Sequence, residues 1–285
     1  MALLKVMMQE QHITSRQNER VKDAAKLRAA RQRAKQGRFV IDGAREIGRA
    51  IHAGIEICEV FVCRQMCVSD ESKSAVAQLE NSPATLSSVT PEVFEKLAFG
   101  ERNDGVVVIA KTPERQLSKL ALPPRPLVAV LEGLEKPGNV GAILRTADAA
   151  GFDAVIVADG QTDLFNPNTI RASLGAVFAA NVCEATVEET LELLRAWRLP
   201  IIATRPDAER IYTEVDFREG AVIVLGSEAA GLSPAWHTAD VQVVRLPMRG
   251  IADSLNVAAT AAVLFYEALR QRAQSPGVAT PGLCG

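Results

Sequence analysis

Histidine is scarce in this chain: His12, His52 and His237 are the only three, and they are far apart. No Ser/His/Asp set is apparent, so nothing points to triad hydrolysis. Neither a Gly-x-Gly-x-x-Gly fingerprint nor a phosphate-binding P-loop is present, which removes the usual signals of dinucleotide binding and of nucleotide hydrolysis. No run of about 18 or more apolar residues occurs, so no membrane-spanning helix and no membrane partner are expected. The first eight residues, MALLKVMM, form a short apolar patch without a small-residue cleavage site after it, and no secretory signal is expected. Cysteine is limited to Cys58, Cys63, Cys67, Cys183 and Cys284. An odd number in a chain of 285 residues suits reduced thiols and a cytoplasmic protein. Cys63 and Cys67 lack a second Cys/His pair, so no metal is expected.

The net charge of −2 hides an uneven distribution. Residues 1–40 hold ten Lys/Arg against three acids, an excess of seven positive charges, which leaves nine negative charges on the remainder. Such asymmetry points to a nucleic-acid contact at the basic end, with a solvated surface helix as the plain alternative.

Residues 16–36 read as one basic helix. Short strands are expected over residues 39–41, 57–63, 85–89 and 105–110. Helices are expected over 44–52, over 69–80, and after Thr90-Pro91, an N-cap followed by proline at the first helical position. This alternation describes a small α/β domain over residues 1–110. Pro113, Pro123, Pro124 and Pro126 mark residues 111–126 as a semi-rigid linker. A second domain, 127–273, carries strands at 127–131, 154–158, 201–204, 221–225 and 241–246. They are nearly continuous apolar runs, as in parallel strands covered on both faces. Helices are expected over 140–150, 187–197 and 253–272, and a disordered tail over 274–285.

Three polar, glycine-bearing segments follow strands of the second domain: EKPGNVGAILR at 135–145, LGSEAAGL at 225–232, and LPM at 246–248 running on to DSLNV at 253–257. Ligands bind beyond the carboxyl ends of strands in open parallel sheets, so these loops form a candidate pocket. Asn139 could cap the helix after it. Arg145 lies in that helix's second turn, where a guanidinium can hold a phosphate bidentately. Glu228 could pair with Arg145 in a buried ion pair. Asp253 or Ser254 would cap the last helix, placing Ser254 and Asn256 in its first turn, where free amides favour polar or anionic groups. Arg171 and Ser173, in the run FNPNTIRASLGAVF at 165–178, are further candidates.

The three segments, in this order, resemble the motifs of the SpoU (TrmH-like) family of RNA ribose 2'-O-methyltransferases, within the SPOUT superfamily. ITSRQN at 13–18, FVIDG at 39–43 and Arg45-Glu46 are similar to that family's substrate-binding domain. The resemblance implies an α/β protein: a parallel-sheet catalytic domain with a trefoil knot, preceded by a small ribosomal-protein-like RNA-binding domain. It implies S-adenosylmethionine as cofactor, structured RNA as partner (large-subunit rRNA before tRNA), and a homodimer. It also implies roles for particular residues. Asn139, Arg145, Glu228 and Asn256 would be catalytic, with Arg145 clamping a phosphate, and Asn139 and Glu228 orienting it and the ribose. Ala203, Thr204, Leu225, Gly226, Gly231, Leu246, Met248, Ser254 and Leu255 would hold the cofactor. Arg16, Arg20, Arg45, Arg171 and Ser173 would meet RNA. Where the family usually has glycine this chain has Ala229, which would be strained if that position needs positive φ. Base methylation, or RNA binding without catalysis, are the alternatives.

Overall fold

The computed structural model describes residues 11–100, 103–179 and 181–274. The apolar N-terminal patch, Lys5, Glu10, Cys284 and the expected disordered tail from residue 275 on lie outside them. The chain forms two compact units: residues 1–113 with 165–171, and residues 114–164 with 172–285.

In the first unit the described elements run β1 (Gln11–Ile13), α1 (Glu19–Lys26), α2 (Ala30–Gln36), β2 (Arg38–Ile41), α3 (Ala44–His52), β3 (Ile57–Val62), α4 (Asp70–Glu80), β4 (Thr85–Val89), α5 (Pro91–Leu97) and β5 (Val106–Lys111). The sheet order is β1-β4-β3-β5-β2. β1, β4 and β3 are mutually parallel, while β5 runs antiparallel to both β3 and β2. Helices α1 and α5 pack together, and so do α3 and α4. Val21, Ala24, Val93, Phe94 and Leu97 bury against Phe61, Val107 and Ile109 of the sheet.

Two features depart from the expectation. The basic helix is broken in two, because the Arg33 guanidinium folds back and donates to the carbonyls of Leu27 and Arg28, each at 2.8 Å. Those are carbonyls a continuous helix would have used itself. The three-residue edge strand β1, mostly polar, carried no apolar run to mark it.

The second unit contains β6 (Leu127–Glu132), α6 (Pro137–Ala149), β7 (Ala154–Ala158), β8 (Val182–Ala185), α8 (Val187–Trp197), β9 (Ile201–Thr204), β10 (Ala221–Leu225), β11 (Val241–Val244) and α9 (Val257–Ala273), while α7 (Pro167–Ala172) is grouped with the first unit as far as Arg171. All six strands are parallel, in the order β11-β9-β10-β6-β7-β8. Leu191 and Leu194 of α8 cover one face, with Trp236 in the same cluster. Helices α6 and α9 pack against each other, with the Phe152 and Phe265 rings 4.0 Å apart. Strand β8 was not expected. It is a short edge strand with its last two residues partly open to solvent, so it lacks the apolar run of its neighbours.

The proline-rich stretch is less free than a linker. From Glu114 on it belongs to the second unit, and Leu117, Leu120 and Leu122 pack against that unit's core. Arg115 anchors it by donating to the carbonyls of Val177 and Val182, each at 3.1 Å, of Phe178 at 2.7 Å, and of Ala179. Removing a guanidinium that serves several partly buried carbonyls takes a donor from each, and the Ala179 carbonyl keeps the Val182 N–H at 3.3 Å. Arg115→Ala should therefore lower the unfolding free energy by about 1–3 kcal/mol, read by urea denaturation with an unchanged m-value. A loss below about half a kcal/mol would mean that water replaces the guanidinium at little cost.

Candidate active site

Strands β6 and β10 are neighbours, yet the chain leaves them in opposite directions across the sheet: β6 leads to β7 on one side, and β10 leads to β11 beyond β9. That divergence opens a crevice at the carboxyl ends of the strands. A cavity of about 740 Å³ lies there, within the range of small-molecule sites. Thr204, Leu225, Gly226, Gly231, Leu246, Met248, Ser254 and Leu255 all line it. Ala203 does not: it is 1% exposed and packs in the core beneath. The sequence reading placed it one residue too far out, because the apolar run does not show where β9 leaves the core.

The loop after β10 closes on itself. Ser227 and Gly231 exchange backbone hydrogen bonds at 3.2 and 3.0 Å. The left-handed residue is Gly231, with φ +69°. Ala229 is not at a positive φ, so the expected strain at that residue is absent. Gly226 has no room for a side chain, since a Cβ there would sit 2.4 Å from the Gly231 carbonyl carbon.

Beside this cavity is a second, of about 70 Å³, lined in part by Lys136, Asn139 and Glu228. Glu228 joins the three motifs. Its carboxylate accepts from Lys136 Nζ at 2.5 Å and from Asn256 Nδ2 at 2.6 Å. Asn256 Nδ2 also lies 3.4 Å from Asn139 Oδ1. The hydrogen bond and charge of Lys136, with support from the Val257 backbone N–H and Asn139, hold the Glu228 carboxyl below the usual carboxylate range. The same pairing raises Lys136. Both are therefore charged at neutral pH, and the tie weakens as pH falls through the lowered value of Glu228.

Several expectations are corrected here. Lys136, not Asn139, is the N-cap residue of α6, and Asn139 is the third residue of the helix. Asn256 is the N-cap of α9, its Oδ1 accepting from Ala258 N–H at 2.9 Å. Asp253 and Ser254 stay in the preceding loop, because the Asn side chain meets the free amides first. Glu228 pairs with Lys136 rather than Arg145, and the pair is open to solvent rather than buried. Arg145 is exposed, lines neither cavity and has no partner among the described residues. Asn139 and Glu228 therefore do not orient it within this chain. On α6 it is six residues beyond Asn139, about 120° away around the helix.

Two RNA-contact expectations also fail. Ser173 is fully buried, and its Oγ accepts from Gly175 and Val177 N–H at 3.2 and 3.4 Å. Arg171, grouped with the first unit, donates to Asp42 at 3.1 Å and to the Phe99 carbonyl, with its guanidinium 5.3 Å from the Phe99 ring centroid. One guanidinium nitrogen, Nη2, is thus committed inside the fold, while Nε is buried without a partner among the described residues. Arg20 is half-buried against Glu59, Gln11 and Ser87. Arg16 and Arg45 are exposed, beside Glu95 at 2.8 Å and Glu71 at 3.6 Å. Arg31 and Lys35 of α2, exposed and without partners among the described residues, were not singled out from the sequence. Lys136 was also missed, though it lies inside the first motif. Burial pushes the Cys183 thiol up to about 12, which leaves it without nucleophilic character at neutral pH.

Residues 126–266 match the SpoU rRNA Methylase family, and residues 18–108 match an MRM3-like substrate binding domain. The 23S rRNA (guanosine-2'-O-)-methyltransferase RlmB of Bordetella pertussis is 32% identical over 79% of this chain and 94% of its own. The chain belongs to the SpoU family. A crystal structure of an RNA 2'-O ribose methyltransferase is 43% identical, with a TM-score of 0.80 over 92% of this chain and 99% of that one. The SpoU methyltransferase AviRb of Streptomyces viridochromogenes, solved in complex with the cofactor AdoMet, is 28% identical, with a TM-score of 0.82 over 90% of this chain and 99% of that one. The SpoU motifs thus coincide with the strand-end loops that build the two cavities.

Gly226→Ala tests the larger cavity. The added methyl must push the Gly226 and Gly231 backbones apart, so affinity for S-adenosylmethionine by isothermal titration should fall at least about tenfold, roughly 1.4 kcal/mol. Wild-type affinity in the variant would show that the loop is not part of the binding surface.

Proposed function

We propose that this protein transfers the methyl group of S-adenosylmethionine to a ribose 2'-hydroxyl of 23S rRNA. The observation that carries the reading is the carboxyl–amide network of Glu228, Asn256 and Asn139 at the junction of the two cavities. Family membership adds support, since RlmB acts on 23S rRNA and AviRb is bound to AdoMet. When bound, the cofactor supplies a methyl group on a positively charged sulfur, already a good leaving group, so the protein's contribution is positioning and acceptance of a proton.

The residues present suit that cofactor. The larger cavity has the volume, and Gly226, with no room for a side chain against Gly231, lets the loop after β10 close tightly and shape the cavity wall. Main-chain groups of Leu225, Gly226, Leu246 and Met248 would take the adenine and its ribose, with Thr204 and Gly231 in the wall and Ser254 and Leu255 at the mouth. Asn139, Glu228 and Asn256 would hold the target ribose. Arg145 would clamp the adjoining phosphate through its planar fork.

Because Arg145 lies outside both cavities of its own chain, the reading includes a homodimer in which a second copy completes the site. Exposed Tyr266 and Leu269 on α9, the helix packed on α6, support an interface there. A trefoil knot in the catalytic unit is part of the same reading. The N-terminal unit would dock the RNA through Arg16, Arg45, Arg31 and Lys35, and a cytoplasmic location is part of the same reading.

Single-turnover transfer of labelled methyl to unmodified 23S rRNA tests this. Arg145→Ala should slow transfer on the order of a hundredfold to a thousandfold, as loss of an oriented contact does, while S-adenosylmethionine still binds. Arg145→Lys should recover little, because the ammonium lacks the fork. Near-normal turnover of Arg145→Ala would remove Arg145 from the mechanism.

A further inference from the structure

Lys136 has a place in the site that the ribose-holding network does not explain. Its ion pair with Glu228 forms part of the wall between the two cavities, and both residues line each of them. The lysine side chain is 70% exposed while the carboxylate side chain is 29% exposed. The carboxylate would be held without the lysine, because Asn256 Nδ2 donates to it at 2.6 Å and the Val257 N–H and Asn139 support it. The lysine, in contrast, has no partner but Glu228 among the described residues. It is also the N-cap of α6, a helix of 13 residues, whose positive end favours anions. An exposed ion pair of this kind is weakly held and easily exchanged for another anion.

We propose that the Lys136–Glu228 pair is a gate, opened when an RNA phosphate takes Lys136 in place of the Glu228 carboxylate. This rests on the methyltransferase reading for its consequence, though not for its test. In the free protein the pair closes the partition and neutralises the carboxylate. With RNA bound, Lys136 turns to the phosphate, and Glu228 stays in position on Asn256. Its carboxylate then has an oxygen free to accept a hydrogen bond from the ribose hydroxyl. Productive arrangement of Glu228 thus depends on RNA being present. Lys136 acts as a positioning residue that senses phosphate.

A gate makes a prediction that a merely structural ion pair does not. Removing the carboxylate should unmask the lysine. Glu228→Gln should therefore bind unmodified 23S rRNA transcript several-fold more tightly than wild type at low salt, even though methyl transfer is lost. Lys136→Met should bind more weakly, with a slope of log affinity against log salt shallower by about 0.7–0.9, the value of one phosphate contact. Lys136→Arg should keep the wild-type slope. The double variant Lys136→Met/Glu228→Gln should bind as Lys136→Met does, since the tightening needs the lysine. Glu228→Gln binding no better than wild type, or Lys136→Met with an unchanged slope, overturns the gate. Wild-type transfer of labelled methyl to the transcript is scored in parallel. Its absence would overturn the methyltransferase reading, whereas the binding results alone decide whether Lys136 and Glu228 compete with phosphate.

Discussion

One carboxylate holds the site together. Glu228 leaves the end of β10 and meets Lys136 at the start of α6, and Asn256 and the Val257 N–H at the start of α9. The positive ends of two helices and a lysine converge on a single negative group. A helix N-terminus favours an anion, and a parallel sheet with divergent connections brings helix N-termini and strand carboxyl ends to one edge. The three sequence motifs are thus three sides of one electrostatic arrangement. The larger cavity lies on one side of it and the smaller on the other.

The arrangement is open to solvent and easily altered, while the sheet beneath it is not. Strands β6 and β10 are buried throughout, and the Gly226 turn is packed too closely for a methyl group. Rigid backbone therefore carries exchangeable polar side chains. That division suits an enzyme that must accept a preformed cofactor and then respond to a large, charged, irregular substrate.

Much of this was legible from the residues. Strands β6, β7, β9 and β10 stood out because burial on both faces demands unbroken apolar runs, and the edge strand β11 stood out by its three valines although Gln242 is exposed. The edge strands β1 and β8, short and partly polar, did not. The three motifs located the crevice, but side-chain partners within it were not legible. Lys136 lies three residues before Asn139, and nothing in that spacing says that it, and not Arg145, meets Glu228. The caps were misplaced by one turn at α6 and by two or three residues at α9, because several consecutive polar residues could each cap and only the chain's path chooses. Ser173 and Arg171 looked like ligand groups, and the fold uses both to satisfy its own backbone and Asp42. Short polar and basic side chains serve structure and recognition with the same hydrogen bonds.

The central claim is that the methyl group goes to a ribose oxygen. Alkali cleaves RNA through the neighbouring 2'-hydroxyl, and a methyl on that oxygen blocks the cleavage. Unmodified 23S rRNA treated with the protein and methyl-labelled S-adenosylmethionine is hydrolysed in alkali and its products are separated. Label recovered in an alkali-resistant dinucleotide is the result this account predicts. Label recovered in mononucleotides would place the methyl on a base and contradict it.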